Sequence, residues 1–153
     1  MPASPVILGM DCRLYYNTNG LADEGGGTWI ELTNVQDVTV NEELNETDAS
    51  TRLSARAGFD TVVTTTAKVS VDFKMMRVPT DTGFQAIETA YENRDFIAIR
   101  VTDGDFATSG TKWVKFDAQV VKFAKNEPLK EASTVDVSLK PTFSPYAPSR
   151  GTV

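Results

Sequence analysis

Apolar and polar residues alternate strictly in two stretches of the chain. In AKVSVDFKMM (67–76) and again in STVDVSLK (133–140), every second residue is apolar. A two-residue period is typical of a β-strand with one buried face and one wet face. The wet faces carry only small or charged side chains, which are Lys68, Ser70, Asp72 and Lys74 in the first stretch and Thr134, Asp136, Ser138 and Lys140 in the second.

Further strands are predicted at 10–16, 29–32, 35–41, 95–103 and 113–125, where β-branched and aromatic residues cluster. In the last of these, the apolar set changes phase after Val120 and continues at Val121 and Phe123, which predicts a β-bulge or a bend between two sheets. The stretch 80–93 instead repeats apolar residues at helical spacing and predicts the one helix. The fold class is therefore mainly β, an antiparallel sandwich or barrel with one packed α-helix.

The composition argues against catalysis. The chain has one cysteine, Cys12, and no histidine, so the usual zinc ligand sets and any Ser-His or Cys-His pair are unavailable. We therefore expect no enzyme activity, no metal and no cofactor. Cys12 falls in a predicted strand, where a buried, inert thiol is the usual outcome. Trp29 and Trp113 could stack a sugar or a base, although such residues more often anchor a core or an interface.

Charge is spread unevenly over the 153 residues, which we expect to form a single domain. The net charge is −6, but residues 21–60 hold nine carboxylates against two arginines, a net of −7, and the remainder carries +1. A sequence-independent nucleic-acid binder needs a basic surface instead. The polar stretch 42–60 is predicted to be a long loop and 141–153 an irregular tail. The excess of acidic residues either mediates contact between copies or belongs to a loop exposed to solvent.

Neither a membrane span nor a leader is predicted. No stretch reaches the roughly 20 apolar residues of a membrane helix. The amino-terminal MPASPVILGMDCRLYY has no basic start and no long apolar run, so we expect no signal peptide. We therefore expect the chain to be made in a cytoplasm, without a membrane partner.

The order of several stretches resembles a known family. NVQDVTVNEEL, the triplet STR at 50–52, AKVSVDFKMM, GFQAIETAYEN, FIAIRVTDG and NEPLKEASTVDVSLKPT follow one another between about Trp29 and Thr142. This order resembles the tail tube proteins of long-tailed, non-contractile bacteriophages. The closing stretch is the most specific part of the resemblance, together with STR before a strand and a helix.

The resemblance implies a self-assembling virion protein. Copies would form a hexameric ring by joining their sheets edge to edge into one continuous inner β-barrel, and stacked rings would form the hollow tail tube for genome passage. The chain would be made in the host cytoplasm and end in the virion tail. Implied partners are further copies of itself and the tail terminator, tail-tip and tape-measure proteins. DNA would pass without specific binding.

The resemblance also suggests roles for particular residues. The long loop would reach a neighbouring subunit or ring, and its candidate contact residues are Glu42, Glu43, Glu46, Asp48, Arg52 and Arg56. The wet faces at 68–74 and 134–140 are candidate walls of a water-filled lumen, although other strands could line it instead. Net negative charge there would repel the DNA backbone, with Asp72 offsetting Lys68 and Lys74.

Two alternatives remain at this stage. The first is the tube of a related injection system, because bacterial type VI secretion tubes share the fold. The second is a monomeric β-sandwich that binds sugar or protein through Trp29 or Trp113.

Overall fold

The structure is a computed structural model that describes residues 7–23 and 29–153. The stretch 24–28, the end of the turn-rich segment 17–28 with three consecutive glycines, lies outside the described residues. The described residues form these strands and helices in order: β1 Arg13–Asn17, β2 Ile30–Glu31, β3 Val35–Asp48, α1 Arg52–Arg56, β4 Val62–Met76, α2 Thr82–Asn93, β5 Phe96–Thr102, β6 Lys112–Asn126, β7 Thr134–Pro141 and β8 Ser149–Thr152. Two short 3-10 turns lie at Gly9–Asp11 and Leu21–Asp23.

All strand pairs are antiparallel, in the order β2-β1-β5-β6-β7-β4-β3, with β8 also paired to β6. The strands form one continuous eight-stranded sheet, and its long strand β6 belongs to both halves of it. Its first half pairs with β5 up to Gln119, and its second half pairs with β7 from Ala118 to Asn126. We call β3, β4, β7 and the second half of β6 the front sheet. We call β2, β1, β5, the first half of β6 and β8 the back sheet.

The predicted phase change in β6 is confirmed. The pairing register with β7 shifts between Val120 and Lys122, and the extra residue, Val121, is half exposed (52%). A bulge inserts one unpaired residue and bends its strand. The bend allows one strand to leave the back sheet and enter the front sheet without a break in the chain.

The core lies between the two sheets and under helix α2. The apolar faces of β4 and β7 supply Val71, Phe73, Met75, Val135, Val137 and Leu139, all buried. The back sheet adds residues such as Ile99 and Phe116, and α2 adds Phe84, Ile87 and Ala90. Asp81 begins α2 by accepting a hydrogen bond from the backbone N–H of Phe84, as an N-cap should. The strict alternation of 67–76 and 133–140 is thus confirmed by burial.

Two predictions about irregular segments were wrong. The predicted loop 42–60 is instead a long β-hairpin with a helical tip, because β3 continues to Asp48, helix α1 follows, and β4 begins at Val62. We call this projection, residues 42–68, the arm. The predicted irregular tail 141–153 contains strand β8, because residues 149–152 pair with the start of β6.

Cys12 also differs from its prediction. It precedes β1 instead of lying within it, and its side chain is exposed. The 3-10 turn Gly9–Asp11 ends directly before Cys12, whose N–H bonds to the Gly9 carbonyl. Partial desolvation, with Asp103 and Asp11 adding negative charge nearby, raises the pKa of its thiol.

A buried carboxylate holds two polar segments against the back sheet. Asp117 on β6 is 4% exposed. One oxygen accepts from the Leu21 backbone N–H (2.9 Å) and the other from the Ser144 hydroxyl (2.6 Å). The Thr142 N–H also bonds to the Asp117 carbonyl. The segments before β2 and after β7 therefore share one anchor.

Candidate assembly surfaces

The eight candidate lumen residues lie on a single face of the front sheet. In the register between β4 and β7, Asp72 lies opposite Ser138, Lys74 opposite Asp136, and Met76 opposite Thr134. Paired residues on antiparallel strands project from the same face. Ser70, Asp72, Lys74, Thr134, Asp136 and Ser138 are half-buried on this face, while Lys68 and Lys140 are exposed near its end.

The outer strands extend this polar face beyond the predicted residues. On β3, Thr39, Asn41 and Glu43 lie opposite Asp72, Ser70 and Lys68. On β6, Lys122 and Asn126 lie opposite Ser138 and Thr134. The alternation of the sequence does not reveal the β6 residues, because the bulge changes which side of the strand is polar.

Two side-chain hydrogen bonds tie the polar face together. The Asn41 amide donates to a carboxylate oxygen of Asp72 (2.8 Å), and the Asn126 amide donates to Asp136 (2.9 Å). Each bond joins an outer strand to an inner one and holds a carboxylate in place. The face is therefore an ordered polar surface.

The charge on this face is balanced instead of negative. It carries the lysines 68, 74, 122 and 140 and the carboxylates Asp37, Glu43, Asp72 and Asp136. Lys74 lies directly opposite Asp136, and Lys68 directly opposite Glu43. Opposite charges at such cross-strand positions attract weakly. The expectation of a repulsive acidic face was therefore wrong, because the alternation brings lysines and carboxylates to the same side.

The six candidate contact residues are all on the arm. Glu42, Glu43, Glu46 and Asp48 lie on strand β3, and Arg52 and Arg56 are the two ends of helix α1. Among the ion pairs between described residues, neither arginine pairs with any of these carboxylates. Glu42 instead pairs with Arg150 on β8, 2.7 Å from carboxylate oxygen to guanidinium nitrogen. This contact joins the base of the arm to the back sheet.

Local hydrogen bonds shape the tip of the arm. Thr51 and Ser54 form a capping box that starts helix α1. Asp48 accepts a hydrogen bond from the Ser50 N–H (2.8 Å) at the end of β3. The side chain and the backbone N–H of Ser50 together lower the pKa of Asp48. The tip is thus a defined structure at the end of an extended hairpin.

Exposed apolar side chains on the arm were missed by the sequence analysis. Leu44, Leu53, Phe59, Val62 and Val63 are each more than half exposed, with Leu53 at 72% and Phe59 at 67%. Several large apolar groups left exposed on one short projection are candidates for burial against another chain. The exposure of these five residues could not be predicted, because no periodic pattern in the sequence links them.

Both edges of the front sheet are open. Among the described residues, β3 pairs only with β4. On the other edge, β5 leaves β6 at Gln119, so residues 121–126 pair with β7 on one side only. Open edges carry rows of unpaired backbone N–H and C=O groups that can pair with another chain.

The two tryptophans are used within the fold. The Arg100 guanidinium lies 4.4 Å from the Trp29 ring centre and 3.3 Å from that of Phe106. Trp113 packs on Gly151 of β8 so closely that a Cβ there would lie 2.6 Å from its ring. Lys115 Nζ lies 4.6 Å from the Trp113 ring centre. Both rings are half-buried and serve as anchors.

The described part of the chain holds no cluster of three or more acidic, cysteine or histidine side chains that could bind a metal ion. Nor does any helix of the described residues have the length and apolarity needed to cross a membrane. The surfaces that stand out are therefore the polar face, the open edges and the arm.

Solved structures of tail tubes share this fold. The chain is similar to the SPP1 tail tube, with a TM-score of 0.75 and 15% identity over 97% of this chain and 80% of that one. It is also similar to the tail of an empty gene transfer agent particle solved with C6 symmetry, with a TM-score of 0.72 and 10% identity over 94% of this chain and 98% of that one.

A more distant likeness is to the baseplate of the anti-feeding prophage, with a TM-score of 0.58 and 5% identity over 97% of each chain. No protein-family model matches the chain, and no curated protein matches it by sequence. The structural likenesses confirm the fold expected from the resemblance, a mainly antiparallel β fold of the tail-tube type.

Proposed function

We propose that this chain is a structural virion protein whose copies build the hollow tail tube of a long-tailed phage or phage-like particle. The observation that carries the proposal is the front sheet, which has an open edge on each side and an ordered polar face. A single copy leaves these edges exposed, which soluble proteins normally avoid. Likeness to tail tubes over nearly the whole chain supports the same conclusion.

The strand directions of the front sheet support ring formation. Four strands alternate in direction from β3 through β4 and β7 to β6. Edge β6 of one copy can therefore meet edge β3 of the next in antiparallel register. Repeated around an axis, this contact closes a hexameric ring with a continuous inner barrel and leaves no open edge.

In such a ring the polar face lines the lumen. The candidate lining residues are Lys68, Ser70, Asp72, Lys74, Thr134, Asp136, Ser138 and Lys140, joined by Lys122 of β6 and by the β3 residues opposite them. Binding to phosphates requires cations free to displace counterions. Here Lys68 and Lys74 face carboxylates, so a passing DNA backbone is neither held nor strongly repelled.

The arm makes the contact between neighbouring subunits or stacked rings. It projects beyond the core, since residues 62–68 are all exposed. Its apolar residues Leu53 and Phe59 supply buried area on docking, while Glu43, Glu46, Asp48, Arg52 and Arg56 set orientation through charge. The same assembly would be completed by tail terminator, tail-tip and tape-measure proteins.

The tube of a related injection system is the second candidate, favoured by the likeness to the anti-feeding prophage baseplate. It uses the same edges and the same polar face. A monomeric sugar- or protein-binding module is less well supported, because Trp29 and Trp113 are engaged with Arg100 and Gly151.

Negative-stain electron microscopy of the concentrated protein, with light scattering on the same sample, tests the proposal. We expect hollow rings or tubes of uniform width. If the protein remains monomeric alone and also in the presence of preformed tube seeds, the proposal is wrong. A tryptophan fluorescence change with a sugar or peptide would then favour the binding module.

A further inference from the structure

The two open edges of the front sheet carry opposite charge. Strand β3 has carboxylates at 37, 42, 43, 46 and 48 and no cation, whereas residues 121–126 of β6 have Lys122 and Lys125 and no carboxylate. We propose that this opposition selects the partner of each edge: β3 of one copy binds β6 of a second copy, and like edges reject each other. The inference rests on the proposed function and names the contact that closes the ring.

The charged groups are placed where a neighbouring strand would meet them. Asp37, Glu43, Lys122 and Lys125 are all exposed. Asp37 and Lys122 line the same groove on the polar face, and Glu43 lies on that face opposite Lys68. Glu42 is engaged by Arg150 within its own chain, so it holds the base of the arm instead.

The rejected pairings explain why the opposition matters. Two β3 edges could also pair antiparallel around a two-fold axis, which would give a closed dimer and end growth. In that dimer, the four unengaged carboxylates of one β3 edge would meet those of the other, and like charges on facing strands are destabilising. Two β6 edges would likewise set lysines against lysines. Only the pairing of β3 with β6 brings opposite charges together at both edges of every copy, and repetition of this pairing gives a ring.

Charge-reversed edges test the inference. The first variant, Lys122→Glu/Lys125→Glu, has two acidic edges. The second variant, Asp37→Lys/Glu43→Lys, replaces the two polar-face carboxylates of the β3 edge with lysines. Each variant alone should assemble poorly, with a critical concentration raised at least about tenfold. An equimolar mixture should recover assembly, because each reversed edge then finds an unlike partner. The two variants must alternate in the mixed ring, which an even-numbered ring permits.

A matched control carries the same kind of charge change away from the edges. Lys130→Glu lies in the turn between β6 and β7 and is exposed, so it should assemble as the wild type does. Thermal melts of all variants establish that each is folded. A chain with all four reversals should assemble alone, since the charges at the four reversed positions are again opposite between the two edges. Salt at about 1 M, where screening acts within a few ångströms, should reduce the defect of the single-edge variants.

The outcomes separate the inference from the proposed function. Wild-type protein that forms no rings, either alone or with preformed tube seeds, overturns both. If the wild type assembles and the folded single-edge variants assemble equally well, the charge opposition does not select the edges. If those variants fail alone and both their mixture and the four-reversal chain also fail, the inference is equally overturned.

Discussion

The Asp117 carboxylate accepts a hydrogen bond from the Ser144 hydroxyl across 27 residues of chain, at 2.6 Å. The other oxygen of the same carboxylate holds the Leu21 N–H. Replacement by Asp117→Ala leaves both donors without their acceptor in a buried site. We expect the free energy of unfolding to fall by about 1–3 kcal/mol. Urea unfolding followed by tryptophan fluorescence measures the change.

Ser144→Ala is the matched control for Asp117. It removes one hydrogen bond and leaves the Leu21 contact in place, so it should cost about 0.5–1.5 kcal/mol. Equal losses for the two variants would show that the carboxylate contributes nothing beyond the tail contact.

Alanine substitutions at three glycines distinguish the cost of backbone strain from the cost of a steric clash. Gly20 has a φ of +78°, and an added Cβ would lie 2.6 Å from the Phe96 ring. Gly58 has a φ of +85° with nothing within 4 Å, and Gly9 has neither feature. We expect Gly9→Ala to be neutral, Gly58→Ala to cost about 1 kcal/mol, and Gly20→Ala to cost more. Thermal melts rank them, and a Gly20→Ala variant as stable as Gly9→Ala would contradict the clash.

The exposed apolar residues of the arm should matter for assembly and not for folding. Leu53→Ser and Phe59→Ser remove side chains that are 72% and 67% exposed in the single copy. Burial of apolar area at an interface contributes about 25 cal/mol per Å², so tube yield in sedimentation should fall while the melting temperature stays unchanged. Met10→Ser, at an 86% exposed site away from the arm, is the control. A lowered melting temperature in the arm variants would instead assign these residues to the subunit's own stability.

The Cys12 thiol should react slowly with iodoacetamide. Partial desolvation, followed by the charges of Asp103 and Asp11, raises its pKa, and the thiolate is the reactive form. The alkylation rate should therefore keep rising above the pH at which an ordinary thiol has levelled off. Asp103→Asn removes one raising charge and should speed the reaction near neutral pH, whereas Asp105→Asn should not. An identical pH profile for all three proteins would exclude the electrostatic contribution.

The sequence predicted those parts of the fold where one face of a strand meets the core. Val71 and Val137 each belong to a series in which every second residue is buried, and this alternation in the sequence predicts β4 and β7. The bulge at Val121 was visible for the same reason, as a change of phase. The candidate lumen face followed directly, because its residues are the other half of that alternation.

The first side of the arm, residues 42–48, and strand β8 could not be predicted because their strand structure does not depend on burial in the core, whereas the β-branched stretch from residue 61 onward predicts the other side of the arm. Both faces of the arm are solvated, so Glu46 and Thr64 give no periodic signal, and pairing between β3 and β4 alone defines the strands. Strand β8 depends on β6 and on the fit of Gly151 under Trp113. The open edges depend on strand order, which local sequence does not encode.

The continuity of β6 has a mechanical consequence. One unbroken strand belongs to both the front and the back sheet, with Val121 as the single point of inserted length. Hydrogen-bond ladders on either side of that residue bind the two layers into one stiff body. In the proposed tube, bending would deform the contacts between stacked rings along the tube axis. The inner diameter of each ring would stay the same. If the proposed tube forms, it could then still pass a stiff polymer when curved.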